Sequence, residues 1–216
     1  MRGVLRGSLC RVVPRGAAFW AARRSRRTAC YNAAPMIEVI EYDPRWPELF
    51  AQLRDRVWPA CSEAGAAAIE HIGSTSVPGL AAKPVIDLDV ILRAEADLAP
   101  VRSALERLRY RFRGDLGVPS RYAFHAPEEP AIRHHLYVCV AGSVALQNHL
   151  LVRDSLRADP TRRYAYATLK RDLAARAGTI DEYIAGKTDF LVRLLADAGL
   201  DGDQLRGVES INRPPR

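Results

Sequence analysis

Glu70-His71-Ile72-Gly73-Ser74-Thr75-Ser76-Val77-Pro78-Gly79-Leu80 and, two alanines later, Lys83-Pro84-Val85-Ile86-Asp87-Leu88-Asp89-Val90 set a glycine–serine turn in front of a strand that carries two carboxylates. Side chains alternate along a strand, so Asp87 and Asp89 share a face. Val85, Ile86, Leu88, Val90 and Ile91 make the rest of the strand apolar. Two adjacent acids repel each other, and a divalent cation with oxygen ligands, such as Mg²⁺, offsets that repulsion. Gly73 can take a positive φ and let backbone approach a phosphate closely. Backbone amides of such a turn, with the Ser74 hydroxyl, can hold the oxygens of a triphosphate.

Ser74 and Asp87 are separated by twelve residues. Gly-Ser, this spacer and Asp-x-Asp resemble the signature of the DNA polymerase β-like nucleotidyltransferase superfamily. The competing interpretation is a serine-rich turn leading into a buried strand. The P-loop pattern is absent. Counting back from Gly186-Lys187-Thr188, Asp181 occupies the first glycine position. From Gly73, Gly79 comes one residue too late, and Leu80 stands where lysine is required.

The chain of 216 residues is long enough for one domain with a substantial core. No run approaches the roughly 18 apolar residues of a membrane span. Cysteines 10, 30, 61 and 139 have no paired metal spacing and suggest no disulfide framework, so the expected compartment is the cytoplasm. The formal charge of +7 is uneven: residues 1–35 hold eight arginines and no acid, leaving −1 for 36–216. A basic nucleic-acid footprint is therefore not expected on the domain. Residues 1–35 read first as an early-called start before Met36, second as a disordered extension and third as a targeting segment. Arginines outnumber lysines 29 to three. The lysines that remain, 83, 170 and 187, are candidates for chemically specified positions.

The patterning predicts a strand at 37–42 and a helix after Asp43-Pro44 with Trp46, Phe50, Leu53 and Val57 on its core face, ended or kinked by Pro59. Strands follow at 67–72 and 85–92, a helix at 98–108 and a short strand at 110–113. A turn-rich segment at 114–130 surrounds Tyr122–Phe124, and a strand covers 132–140. Three helices close the sequence, at about 144–158, 160–177 and 180–198, the last capped by Thr179 with Glu182 at the reciprocal position. Residues 201–216 read as a disordered tail. The fold class is α+β, with a mixed sheet and a helical C-terminal half.

Tyr42-Asp43-Pro44-x-Trp46-Pro47, the two opening runs, Arg133-His134-His135-Leu136-Tyr137-Val138, Asn148-His149-Leu150 and Gly186-Lys187-Thr188 together resemble the GrpB family over roughly residues 36–198. The resemblance implies a minimal nucleotidyltransferase-like fold over 36–200 and a start close to Met36. Some family members are joined to dephospho-CoA kinase, which hints at coenzyme A metabolism. Active nucleotidyltransferases place a third carboxylate on a neighbouring strand. Here the strand at 132–140 offers histidines instead, with Glu70 and Asp115 as alternative acids.

With Leu136, Val138 and Val140 facing the core, His135 looks into the cleft, where it can ligate a metal, bind phosphate as imidazolium, or simply satisfy a hydrogen bond. Lys187 lies on the apolar stripe of its helix, aimed into a cleft or snorkelling outward. Lys83 holds phosphate or only precedes Pro84. Arg121, Arg133 and Arg153 are weaker phosphate candidates, and His71 and His149 read as structural. Tyr164, Tyr166, Leu169 and Leu173 read as helix packing. The expected site is thus Asp87, Asp89 and His135, with Gly73, Ser74, Lys83 and Lys187 on the ligand and Mg²⁺ on the two acids. The expected function is nucleoside monophosphate transfer from a nucleoside triphosphate. The alternative is a nucleotide- or CoA-type binding protein without turnover. A protein-interaction module of toxin or antitoxin type has no positive support.

Overall fold

The computed structural model describes residues 37–128 and 130–213. The expectations for residues 1–35 fall outside these. Helix α1 runs Trp46–Glu63, with Pro47 in its first turn. The Asp43 carboxylate accepts the Arg45 backbone N–H at 2.9 Å just before it. Trp46, Leu53 and Val57 are buried, as their helical spacing requires. Pro59 does not end the helix. Pro59 and Asp55 lie on the exposed face, where water can satisfy the carbonyl that proline leaves without a donor. The strand expected at 37–42 is reduced to one bridge, Ile40 with Ala82, closed by two backbone hydrogen bonds of 2.9 Å. Pro84 follows closely and has no N–H with which to extend a ladder.

Strands β1 (Ala68–Ile72), β2 (Ile86–Leu92), β3 (Arg111–Phe112), β4 (Arg121–His125) and β5 (His134–Val140) form a mixed sheet in the order β1-β2-β5-β4-β3. Only β2 and β5 pair in parallel, with Asp87 opposite His135 and Asp89 opposite Tyr137. Ile86, Leu88, Val90 and Leu92 enter a core with Leu136 and Val138, closed by α1 and by Val101 and Leu105 of α2 (Leu98–Arg107). By alternation the opposite face carries Asp87 and Asp89 beside His135, Tyr137 and Cys139.

Helices α3 (Val144–Ala158), α4 (Pro160–Arg176), α5 (Ile180–Asp197) and α6 (Gly202–Asn212) form the C-terminal half. The Ser143, Asp159 and Thr179 side chains cap α3, α4 and α5. Glu182 reaches one residue further back than a capping box predicts and accepts the Gly178 N–H at 2.7 Å. Tyr166 is buried in α4, whereas Tyr164 is exposed and takes no part in packing. Of the disordered tail expected at 201–216, residues 202–212 instead form α6, and 214–216 lie outside the described residues. Asp201 and Gln204 form its reciprocal capping box, and Val208 is buried against the other helices. Burying a valine side chain contributes about 1.5–3 kcal/mol, enough to hold a short capped helix in place. A second core gathers Val77 and Leu80 with Leu156, Tyr166, Leu194, Leu195 and Val208. The turn at 73–76 is consequently held between the sheet and this helical layer.

Candidate functional site

A cavity of about 830 Å³ opens between the acid-bearing face of the sheet and the helical half. Gly73 has φ +70° and ψ −173°, a conformation essentially restricted to glycine. A Cβ there would overlap the Asp87 carboxylate. The chain thus requires glycine twice over at this position, and the turn sits directly on Asp87. Three contacts hold it. Ser76 Oγ donates to the Gly73 carbonyl at 2.6 Å. Arg157 donates twice to the Ser76 carbonyl, at 2.7 and 3.1 Å. Arg153 donates to the His71 carbonyl at 3.2 Å. His71 is buried, stacked on Phe50 and hydrogen-bonded to Thr75, and burial pushes it down to about 4. A neutral His71 supports the turn from below.

The three lysines of the chain, Lys83, Lys170 and Lys187, all line this cavity. Lys170 is 2% exposed and donates to Ser74 Oγ at 2.9 Å. Its Nζ also lies 4.8 Å from the Tyr166 ring centroid. The Tyr183 ring lies between the other two, 4.6 Å from Lys187 Nζ and 5.8 Å from Lys83 Nζ. Among the described residues the three make no ion pair with an acid. Burial, with Lys187 and Arg171 nearby, pushes Lys170 down to about 6. Burial, with Lys83 nearby, brings Lys187 down to about 8 against the pull of Asp87. A buried amine without a counter-ion favours its neutral form, and an arriving polyanion would restore the charge.

The acids occupy different depths. Asp87 lines the cavity and binds His135 Nδ1 at 2.7 Å, and the His135 side chain is half exposed. Asp89 is fully buried. Its Oδ2 meets His149 Nδ1 at 2.8 Å, while Oδ1 has no partner. His149 lines the cavity and forms its floor with Tyr137. Neither alternative third acid lines the cavity, although Glu70 stands opposite Asp89 on β1. Glu70 is taken up by Arg153 at 2.7 Å, and Asp115 accepts the Gly117 backbone N–H. Of the arginine candidates, Arg121 lines the cavity with its guanidinium 4.8 Å from the Tyr137 centroid. Arg133 is exposed, and Arg153 is committed to Glu70 and Asp154.

The GrpB protein family matches residues 36–197. The chain belongs to the GrpB family. UPF0157 protein BH1888 of Halalkalibacterium halodurans is 37% identical over 169 residues, which cover 78% of this chain and 84% of BH1888. UPF0157 protein YqkA of Bacillus subtilis is 34% identical over 156 residues, which cover 72% of this chain and only 45% of YqkA. A dephospho-CoA kinase of Mycolicibacterium paratuberculosis is 29% identical over a match covering 84% of this chain and 51% of the kinase. The crystal structure of conserved protein GrpB from Enterococcus faecalis superposes with a TM-score of 0.66 at 32% identity, covering 74% of this chain and 96% of that one. A weaker likeness, TM-score 0.45 at 17% identity, is to the Cid1 poly(U) polymerase.

Of the residues expected from sequence, this GrpB domain brings Gly73, Ser74, Lys83, Asp87, His135 and Lys187 to one cavity and leaves Asp89 beneath it. Sequence reasoning missed two members. Lys170 sits on the buried face of α4, and the scarcity of lysine was the only signal for it. His149, expected to be structural, lines the cavity and is the hydrogen-bond partner of Asp89. The wall formed by α6, with Gln204, Val208 and Ile211, lies beyond the family match. Among the described residues no helix is long and apolar enough to cross a membrane.

Proposed function

We propose that this GrpB protein is a Mg²⁺-dependent nucleotidyltransferase that moves a nucleoside monophosphate from a nucleoside triphosphate to an acceptor. The observation that carries this reading is the convergence of all three lysines with the Gly73–Ser74 turn and Asp87 on one cavity. Three lysine amines without acidic partners among the described residues suit a triphosphate, whose charge would hold them protonated. Gly73 allows backbone to approach phosphate, Ser74 offers its hydroxyl, and Lys170, Lys187 and Lys83 neutralise the phosphate oxygens.

The donor chemistry suits a hard cation, because Asp87 and Asp89 supply carboxylate oxygens from one face and Asp89 Oδ1 is buried without a partner. Mg²⁺ bound there would neutralise charge developing on the phosphates. In the transfer, the acceptor oxygen bonds to the α-phosphorus, the bond from that phosphorus to the bridging oxygen breaks, and pyrophosphate leaves. His135 keeps Nδ1 on Asp87, so its Nε2 is the ring nitrogen able to take the acceptor's proton.

A second reading is a nucleotide- or CoA-type binding protein without turnover. It is favoured by the full burial of Asp89 and by His135 standing where a third acid would complete the carboxylate set. Both readings are tested by incubating the full chain with labelled nucleoside triphosphates, coenzyme A precursors and Mg²⁺. The likeness to a dephospho-CoA kinase is the reason for including the precursors. Repeated product release that stops with EDTA and in Asp87→Asn supports the transferase. Metal-assisted binding without product supports the second reading, and binding of neither class overturns both.

A further inference from the structure

On the acid face, Asp89 stands with two further donors, Cys139 and His149, that the phosphate chemistry does not use. One ligand atom each from Asp89, Cys139 and His149 lies within 4.8 Å of the others. The residues come from β2, β5 and α3, so tertiary packing assembles the group. Asp89 and Cys139 are buried, while His149 lines the cavity and gives a path inward. A second observation marks the site: Asp89 is 0% exposed, and its Oδ1 has no hydrogen-bond partner. An unpaired buried carboxylate oxygen is costly, and a bound cation removes the penalty.

We propose that Asp89, Cys139 and His149 form a site for a soft divalent cation of the Zn²⁺ class, distinct in its donors from the Mg²⁺ position. The donor set of one carboxylate oxygen, one sulfur and one imidazole nitrogen is of the type zinc takes in tetrahedral sites, with the fourth position open to the cavity. Mg²⁺ prefers oxygen ligands in octahedral geometry and gains nothing from the sulfur. At zinc–ligand bonds of about 2.0–2.3 Å, tetrahedral ligand atoms stand roughly 3.3–3.8 Å apart. The widest separation therefore closes by about 1–1.5 Å and the hydrogen-bonded Asp89–His149 pair opens slightly, within the range of side-chain rotation.

Binding breaks the Cys139 S–H bond, forms a sulfur–metal bond and releases the proton to solvent. Thiolate and carboxylate together balance the dication. Arg121, opposite Cys139 on β4 and held over the Tyr137 ring, and Glu70, opposite Asp89 on β1 and paired with Arg153, are charged neighbours on the same face. Among the described residues the buried Nε of Arg121 has no partner. Since Asp89 is shared with the proposed Mg²⁺ position, zinc there places one metal at the floor of the cavity while Asp87 stays paired with His135 at its edge.

The full chain, stripped of metal and supplied with Co²⁺ alone, tests the site without any nucleotide. One equivalent of Co²⁺ is expected to give a thiolate-to-metal charge-transfer band and tetrahedral visible bands, and one equivalent of Zn²⁺ abolishes both. Cys139→Ser loses the charge-transfer band with an unchanged circular dichroism spectrum, whereas Asp87→Asn keeps it. If Cys139→Ser fails to fold, X-ray absorption of the zinc-loaded wild-type chain decides, with one sulfur expected among the ligands. A Co²⁺ spectrum unchanged by Cys139→Ser, or a zinc shell of nitrogen and oxygen only, overturns the proposal. Since no triphosphate is present, neither result depends on the transferase reading.

Discussion

Lys170 concentrates the physics of the cavity in one side chain. In the folded chain it is pushed down to about 6, whereas an unfolded lysine titrates near 10.5. Between these values the unfolded state binds a proton that the native state lacks, so stability rises with pH across that window. The slope from one such group reaches about 1.4 kcal/mol per pH unit, and Lys187 adds to it above about 8. The ligand-free protein is therefore expected to be more stable at pH 9 than at pH 7 by urea unfolding. Lys170→Met should flatten that slope, raise stability at pH 7 and weaken triphosphate binding at least tenfold by calorimetry. An unchanged slope in the variant would show that Lys170 stays charged. At Gly73, any side chain meets both the backbone conformation and Asp87. Gly73→Ala should lose about 1–3 kcal/mol of stability and, by moving Asp87, abolish metal-dependent ligand binding. Full binding by this variant would remove the turn from the site.

The elements differ in how openly the sequence announces them. Strand β2 was legible because Ile86, Leu88 and Val90 alternate with Asp87 and Asp89 in an otherwise apolar run. The helices α3, α4 and α5 were legible because Ser143, Asp159-Pro160 and Thr179 punctuate them. Helix α6 was not, because Gly202 and Gly207 dilute a helix that is stabilised chiefly by burying Val208 against α5 and its neighbours. Its Asp201–Gln204 box is what starts it. Asp201→Ala is expected to cost about 1 kcal/mol and to speed amide exchange selectively across 202–212. Uniform exchange over the whole domain would contradict a local role. The segment at 37–42 failed in the other direction: it has the composition of a strand but meets a loop containing Pro84 rather than a ladder. The Asp89–His149 pair could not be read along the chain at all, since sixty residues separate its members.

At the scale of the whole molecule, one cavity joins residues from the turn, the sheet and four helices. A ligand that bridges them is expected to stabilise the chain as a unit. With nucleoside triphosphate and Mg²⁺ at about 100 times the dissociation constant, the gain should be about 2.7 kcal/mol, measured as a shift in the thermal midpoint. EDTA or Asp87→Asn should remove that shift. Binding should also take up protons onto Lys170 and Lys187, so affinity rises as pH falls from 9 to 7. Flat affinity across that range would mean that the lysines are already charged. The order in which the cavity's parts become available follows from the parallel pairing of β2 with β5. That pairing closes a loop of 48 residues between Asp87 and His135, and non-local contacts of this kind form late. A chain emerging from the ribosome presents the turn and both acids well before it presents Lys170 and Lys187. On the proposed reading, the phosphate grip would be completed only when the last helices arrive, and a stalled or truncated product would lack two of its three lysines.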